Sequence, residues 1–253
     1  MRPKALVVLP RRIQKSASFT QLPSSHSNMK LVSVNVGLPR LLAWGGATFE
    51  TGIFKNPVEG RVVLRTTNLD GDRQADLSVH GGPNKAVYCY PSEHYSAWNG
   101  ELPDPARTWG AFGENFTTEG LCETSVSIGD RYRVGSAMVR VTTPRLPCFK
   151  LAAKFQRDDM IERFVRGGRS GFYLSVIEEG EVGAGDKFEL LGREEPTLTI
   201  AEINELYTAK SPDRDTLHRS LDVKLLPESW RMRFRARLAD MEGRKHDGHT
   251  SPV

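Results

Sequence analysis

The residues best suited to chemistry in this chain lie in Thr142–Leu151, which reads TTPRLPCFKL. Cys148 stands there between two cations, Arg145 and Lys150, with Pro147 directly before it and a predicted helix directly after it. Nearby positive charge and a helix N-terminus both favour the thiolate, the form that attacks an electrophile or binds a metal. Free cysteine is also among the most buried residue types. Local chemistry therefore leaves a half-buried structural thiol as an equal reading.

Three further segments carry polar chemistry. Thr51–Lys55 (TGIFK) sets a threonine hydroxyl and a lysine before a proline-marked turn. In Asp76–Lys85 (DLSVHGGPNK), His80 and Lys85 flank Gly81 and Gly82, whose missing Cβ atoms let backbone N–H groups approach a ligand. Gly110–Asn115 (GAFGEN) is a second glycine-relieved turn, holding Gly113, Glu114 and Asn115. Singly, each has a plain reading: a turn, a solvated lysine, a hydrogen-bonded structural histidine. Together, Lys55, His80, Lys85, Arg145 and Lys150 with the glycine turns describe an anion site. A thiolate beside it is a soft ligand, which suits a phosphorylated cofactor carrying a soft or borderline metal. Spacing along the chain does not show whether these segments converge.

The elements that must position them read mainly as strands. From Lys30 the run Leu31, Val32, Val34, Val36 is strand-forming and stops at Gly37-Leu38-Pro39. Short β-type runs recur at Val62–Thr67, Ala86–Tyr90, Ser125–Ile128, Arg131–Val134, Met138–Thr143, Tyr173–Ile177 and Lys187–Leu191, with Gly, Pro, Asn or Asp in nearly every gap. That pattern predicts a β-barrel or sandwich, and no regular βα alternation points to a doubly wound sheet. Two helices interrupt it, Ser92–Trp98 and Leu151–Arg166, the second stopped by Gly167-Gly168. From about Thr197 a three-helix unit begins. Thr199-Ile-Ala-Glu202 reads as a capping box, Pro212 as a first helical residue, and Glu228–Glu242 as a helix ended by Gly243. The stripe Trp230, Phe234, Leu238, Met241 is core or interface; left uncovered, it would ask for a second copy of the chain.

Composition bounds the rest. At 253 residues, with 38% apolar and 26% charged residues, the chain fits a globular domain with a small appendage. No apolar run approaches the length of a membrane span. The +4 net charge is uneven: residues 1–28 hold five basic residues and no acid, which leaves 30 basic and 31 acidic residues in the body. A near-neutral body argues against nucleic-acid binding. The Ser- and Pro-containing basic tail reads as disordered. It is either an organelle transit segment or, on the reading taken here, an extension upstream of a start at Met29. Cys89, Cys122 and Cys148 form no CxxC pair and the histidines are dispersed, which fits a reducing, cytoplasmic setting and no zinc site of local spacing. The organisation expected is therefore an extension at 1–28, a β-barrel domain at 29–196, a three-helix domain at 197–243 and a polar tail at 244–253.

The segments VHGGPNKAVYCYPSEHYSAW (79–98), FGENFTTEGL (112–121), VSIGDRYRVG (126–135) and PRLPCFKL (144–151) together resemble the MOSC domain, the C-terminal domain of molybdenum-cofactor sulfurases. Within it the YiiM-like branch, with its appended three-helix unit, is the nearest match, and the resemblance runs from about Lys30 to Glu242. It implies a mostly β, barrel-like fold that binds molybdenum cofactor (molybdopterin). Cys148 stands where the metal ligand is expected. Lys55, His80, Gly81, Gly82, Lys85, Gly113, Asn115, Arg145 and Lys150 stand where the pterin and its phosphate would be held. The branch is implicated in reducing N-hydroxylated bases, which implies a small-molecule N-hydroxylated substrate and, since the chain has no flavin motif and no iron–sulfur cysteine set, a separate reductase, a flavoprotein, as electron donor. Glu114, His80 or Asp76 would relay protons. Two departures, Thr143 where the branch often has Gln and Asn68 where it often has Gly, bear on pocket shape and substrate. A sulfur carrier using a Cys148 persulfide and a non-catalytic cofactor carrier are the alternatives.

Overall fold

The computed structural model describes residues 29–76, 81–102 and 108–247, with the backbone alone from 244 onward. The basic extension and His80 therefore lie outside the described residues. The first half of the chain gives β1 (Lys30–Val36), β2 (Arg40–Trp44), β3 (Ala47–Thr51), β4 (Asn56–Pro57), β5 (Arg61–Leu64), β6 (Val87–Pro91) and β7 (Phe116–Glu119). The second half adds β8 (Arg131–Val134), β9 (Ala137–Pro144), α1 (Phe149–Phe155), α2 (Met160–Arg166), β10 (Phe172–Glu178), β11 (Gly180–Gly183) and β12 (Phe188–Gly192). The helices α3 (Ile200–Thr208), α4 (Arg214–Asp222) and α5 (Glu228–Asp247) follow.

One eight-stranded sheet dominates, in the order β12-β8-β9-β10-β6-β7-β1-β4. Its neighbours are antiparallel except the parallel pair β6–β7. The sheet curls until β1 reaches the turn before β12, where Leu31 N–H donates to the Asp186 carbonyl at 2.8 Å and Phe188 N–H to that of Met29 at 2.9 Å. A one-residue bridge, Lys30 to Lys187, joins the two sides, with no continuous ladder. The fold is mainly β, as predicted, but "barrel" describes it loosely: the sheet is curled and not closed.

Two hydrophobic clusters share strand β6. Val87 and Cys89 face the inside of the curled sheet, with Leu31, Phe116, Val139, Val141 and Leu174. Tyr88 and Tyr90 face the outside, into an aromatic cluster with Tyr95, Trp98, Phe112, Phe155 and Phe164. Both faces are covered, so all five residues of β6 are buried. The 3₁₀ helix Ser92–Trp98, α1 and α2 cover the outer face.

Several expectations need correcting. Leu151–Arg166 is two helices, because Gln156 takes a left-handed conformation (φ 52°) and the Arg157 N–H reaches back to the Ala152 carbonyl at 3.0 Å, closing the turn. Asp159, paired with Arg157 and Arg163, holds the bend. Ser125–Ile128 makes only a one-residue antiparallel bridge, Ser127 to Thr199, between turns, and the Asp130 carboxylate accepts from Ser127 N–H at 2.9 Å where the chain folds back. Pro212 precedes α4 by two residues, and Asp213 caps it through Thr216 N–H at 2.8 Å. Helix α5 runs through Gly243 to Asp247, into the segment expected to fray; a glycine inside a helix costs only about 1 kcal/mol. The predicted Thr199–Glu202 capping box is present in full.

The three-helix unit does not present its aromatic stripe to solvent. Phe234, with Ile203, Leu206 and Leu217, belongs to the same cluster as the sheet core, and Trp230, Leu238 and Met241 pack against it. Phe234 is fully buried and the other three are partly buried, so the chain itself covers much of the stripe. Arg237 ties α5 to the end of α3, donating to the carbonyls of Leu206 at 2.7 Å and Tyr207 at 2.8 Å. Phe234→Ala should cost about 3–5 kcal/mol, the usual loss for emptying a buried aromatic site. Urea unfolding should remain a single transition at lower denaturant; a separate early transition of the helices would show that they do not share this core.

Candidate functional site

Cys148 is placed by what lies on each side of it. Strand β9 ends at Pro144, and Arg145 N–H is held by the Gly171 carbonyl at 3.3 Å. Pro147 cannot donate a backbone hydrogen bond and keeps Leu146 extended. Cys148 then caps α1 with extended dihedrals (φ −127°, ψ 172°). Leu151, Ala152 and Phe155 bury the far side of α1 in the aromatic cluster, each large side chain contributing about 1.5–3 kcal/mol. That burial anchors the helix and leaves Cys148 half-buried at its start.

Cys148 lies on the wall of an open cleft. Lys55, Gly81, Lys85, Gly113, Asn115, Arg145 and Lys150 share that wall, so the scattered segments of the sequence do converge. Asp72, Arg73, Tyr88 and Tyr173 line it as well. Among the described residues, five cations and one carboxylate make the lining positive. Arg145 is 6% exposed and runs between the rings of Tyr88 and Phe164, at 4.8 and 5.2 Å from their centroids. Burial works against its charge, but the Tyr88 and Tyr173 phenols and the Cys148 sulfur outweigh it and raise its pKa. Arg145 thus places positive charge near Cys148, on a wall it shares with Lys85 and Lys150; α1, seven residues long, adds little.

Lys55 and Asn115 reach the cleft wall but spend their polar ends on the frame. The Lys55 ammonium is buried and salt-bridged to Asp72. Burial lowers the Lys55 pKa, and Asp72 opposes that. The same Asp72 oxygen accepts from Gly37 N–H at 2.9 Å, and its other oxygen accepts from Asn115 Nδ2 at 3.0 Å. Asn115 Oδ1 in turn accepts from Tyr88 N–H at 3.2 Å. One carboxylate therefore joins the end of β1, the TGIFK loop and the residue that opens β7.

Glu114 faces away from the cleft. It is fully buried and accepts from Tyr95 OH, Gly110 N–H at 2.7 Å, Thr117 OH at 3.0 Å and Phe112 N–H at 3.1 Å. The N–H groups that the GAFGEN turn was expected to offer a ligand are satisfied by the chain's own carboxylate, and Gly113 N–H bonds the Gly110 carbonyl at 3.0 Å. The two glycines serve close approach instead. Both have positive φ, and a Cβ on Gly110 would lie 2.8 Å from the Lys55 carbonyl oxygen, one on Gly113 2.8 Å from Ile53 Cγ1. Gly82 is not in the lining. Cys89 is buried in β6 and Cys122 half-buried in a turn, both away from the cleft.

Sequence reasoning passed over Asp72, Tyr88, Tyr173 and Lys154. Asp72 sits in the Asp70-Gly71-Asp72 turn, read only as a turn, and both tyrosines sit in predicted strands whose facing was open. Lys154 Nζ donates to the carbonyls of Ile53 at 3.1 Å and Gly110 at 3.0 Å, beneath the cleft loops.

Two outcomes follow from the buried charges. Asp72→Asn leaves the Lys55 ammonium without its counter-charge and should cost about 3–5 kcal/mol in chemical denaturation. Adding Lys55→Met should recover most of it; a loss below about 1 kcal/mol in the single variant would show that Asp72 is not the node. For Glu114, burial pushes the carboxyl up, while Tyr95 and the turn N–H groups pull it down less strongly. Its folded pKa lies above the unfolded one, so the stability it confers is full below the ordinary glutamate range and is lost as pH rises through the folded value. Glu114→Gln should flatten that fall in a series of urea midpoints taken from pH 4 upward, and an unchanged slope would contradict the assignment.

Comparison with known proteins agrees with this arrangement. Residues 76–189 match the MOSC domain and residues 198–240 the YiiM-like 3-alpha helix domain. YflK of Bacillus subtilis is 43% identical over 204 residues, covering 81% of this chain and 92% of that one. The crystal structure of YiiM from Geobacillus stearothermophilus superposes with a TM-score of 0.68 at 36% identity, covering 83% of this chain and 99% of that one. A protein of Gibberella moniliformis named as a reductase is 33% identical over 184 residues, which cover 72% of this chain and 32% of that one. With its cationic cleft, its curled sheet and its appended helices, the chain belongs to the MOSC family, in the YiiM-like group.

Proposed function

We propose that this chain binds molybdenum cofactor in the cleft, with Cys148 as the protein ligand of the metal, and reduces N-hydroxylated bases or related N-hydroxylated compounds. The observation that carries this reading is the half-buried residue Cys148 on a cleft wall that also holds Lys85, Arg145 and Lys150. The donor set fits the cofactor. Among the described residues no cluster of three His, Cys, Asp or Glu side chains could hold a metal ion by itself. A metal at Cys148 would therefore arrive with ligands of its own, and an anionic pterin phosphate matches a lining in which cations outnumber carboxylates among the described residues. When bound, the cofactor supplies two-electron oxygen-atom chemistry.

The protein's own part is to bind, orient and shield. Cys148 offers one soft sulfur ligand on a residue fixed by the buried face of α1. Arg145 holds positive charge beside that sulfur without a mobile side chain, because two aromatic rings clamp it. Tyr88 and Tyr173 give the cleft flat apolar walls suited to a heteroaromatic substrate. Reducing N–OH to N–H consumes two electrons and two protons and releases water. The electrons come from a separate donor, a flavoprotein reductase in this reading; the reductase-named relative, of which the chain spans a third, supports the redox class. This reading assigns Glu114 a structural part, since its oxygens are taken up by four donors.

Cys148→Ser should keep its unfolding free energy within about 0.5 kcal/mol of wild type, as substitutions away from the core do. It should lose molybdenum by elemental analysis, and N-hydroxypurine reduction coupled to a flavoprotein donor should fall more than about a hundredfold, beyond the effect of removing an outer-layer partner. Cys89→Ala and Cys122→Ser should retain the metal. Unchanged turnover in Cys148→Ser would sink the proposal; metal without turnover in wild type would favour a cofactor carrier, and a persulfide mass shift on Cys148 without metal a sulfur carrier.

A further inference from the structure

Lys154 lies near the end of α1, the helix that Cys148 opens. Its ammonium turns inward and donates to two main-chain carbonyls at once, Ile53 at 3.1 Å and Gly110 at 3.0 Å. Ile53 lines the cleft from the TGIFK loop, and Gly110 begins the turn that delivers Gly113 and Asn115 to it. The two loops are already in close apposition, because Gly110 and Gly113 pack on Lys55 and Ile53 without room for a Cβ. The Phe54 ring stands between Lys154, at 5.4 Å, and Arg40, at 3.3 Å.

We propose that Lys154 is a positioning residue of the cleft: by binding the Ile53 and Gly110 carbonyls together, it locks both cleft loops to the helix that Cys148 opens. The proposal rests on the reading above in taking the cleft as the working site. The lock itself is a property of the protein without cofactor.

The charged groups facing Lys154 are Glu114 from the GAFGEN turn, Arg145 from the segment before α1, Arg40 from β2 and Lys55 from the TGIFK loop. Burial lowers the Lys154 pKa, the three cations lower it further, Glu114 opposes them, and the result is about 7. An ordinary lysine stays charged to about 10.4. The lock is therefore at its strongest below neutrality. Above it the amine keeps N–H groups but loses the charge that makes such bonds roughly twice as strong. Stability moves the other way. The unfolded chain binds the extra proton between about 7 and about 10, so this group makes folding more favourable as pH rises through that window. A loosening of the loops with a gain in global stability is the signature of this lysine.

The test uses the full-length chain without cofactor, as wild type, Lys154→Arg and Lys154→Gln. Lysine Cε NMR should show Lys154 titrating near 7. Amide exchange of residues 52–55 and 110–115, corrected for the intrinsic pH dependence, should rise several-fold from pH 6 to pH 8 in wild type. It should stay low at both pH values in Lys154→Arg, which keeps its charge, and high at both in Lys154→Gln. A Lys154 signal titrating above about 9.5, or Lys154→Gln loops exchanging as slowly as wild type at pH 6, would overturn the proposal. If Lys154→Gln does not fold, the direct titration and the flat profile of Lys154→Arg decide it. None of these readouts involves turnover, so a failure of the reductase reading leaves them unaffected, and their failure leaves that reading unaffected.

Discussion

The cleft depends on a carboxylate that no ligand needs to touch. Asp72 is 3% exposed and takes hydrogen bonds from Gly37 N–H, the Lys55 ammonium and the Asn115 side chain. Each donor belongs to a different stretch of chain. Removing one ion of such a buried pair costs far more than the pair contributes, because the survivor is left charged in a poorly solvating interior. The constraint is therefore one of satisfaction: β1 must end, the TGIFK loop must turn and β7 must begin at the points where three donors can reach two oxygens. Asn115 passes the constraint on to Tyr88, and so to the parallel junction of β6 with β7.

The same economy explains why the lining is cationic. Among the described residues, Asp72 lines the cleft and Glu114 lies in the turn beside it, and both are committed to the frame. Asp72 is bound by Lys55 and Asn115, and Glu114 is filled by the hydroxyls and N–H groups of its own turn. Had the GAFGEN turn kept its N–H groups for a ligand, Glu114 would have been a buried, unsatisfied carboxylate. By consuming them it stiffens the turn and leaves anion attraction to side chains, with Lys85, Arg145 and Lys150 at the wall.

Much of this was legible in the sequence, for physical reasons that differ by element. Strands β1, β8, β9, β10 and β12 follow from alternation or from continuous β-branched runs bounded by turns. The α3 capping box follows from hydrogen-bond reciprocity between Thr199 and Glu202. Hairpin β2–β3 was passed over because both its strands are largely exposed and lack a buried face to set a period, although Gly45-Gly46 marks its turn. The break in the predicted Leu151–Arg166 helix had a signal too: a continuous stripe from Leu151 and Phe155 needs an apolar residue near 158 or 159, and the chain has two aspartates there. At the site, cations and the sulfur announced themselves by type. Their convergence is a long-range property, and so is the identity of their restraints. Asp72 looks like any turn aspartate, and Lys154 like any helical lysine, until the loops they bind are seen to meet.

The position of the cleft follows from the two cores. The curled sheet buries one cluster inside and a second, aromatic one outside, and β6 serves both with alternate residues. Tyr88 looks outward from β6, packs in the aromatic cluster, stacks under Arg145 and reaches the cleft wall. Arg145 itself lies between Tyr88 of β6 and Phe164 of α2. A cation of the Cys148 wall is thus held by side chains from both sides of the boundary. Truncating Phe164 would remove packing far from any ligand yet release the guanidinium. Close-packed interiors transmit such changes because their side chains have no slack to absorb them. The aromatic cluster is for that reason part of the machinery that aims the site, and its residues are constrained by the electrostatics of the cleft as much as by burial.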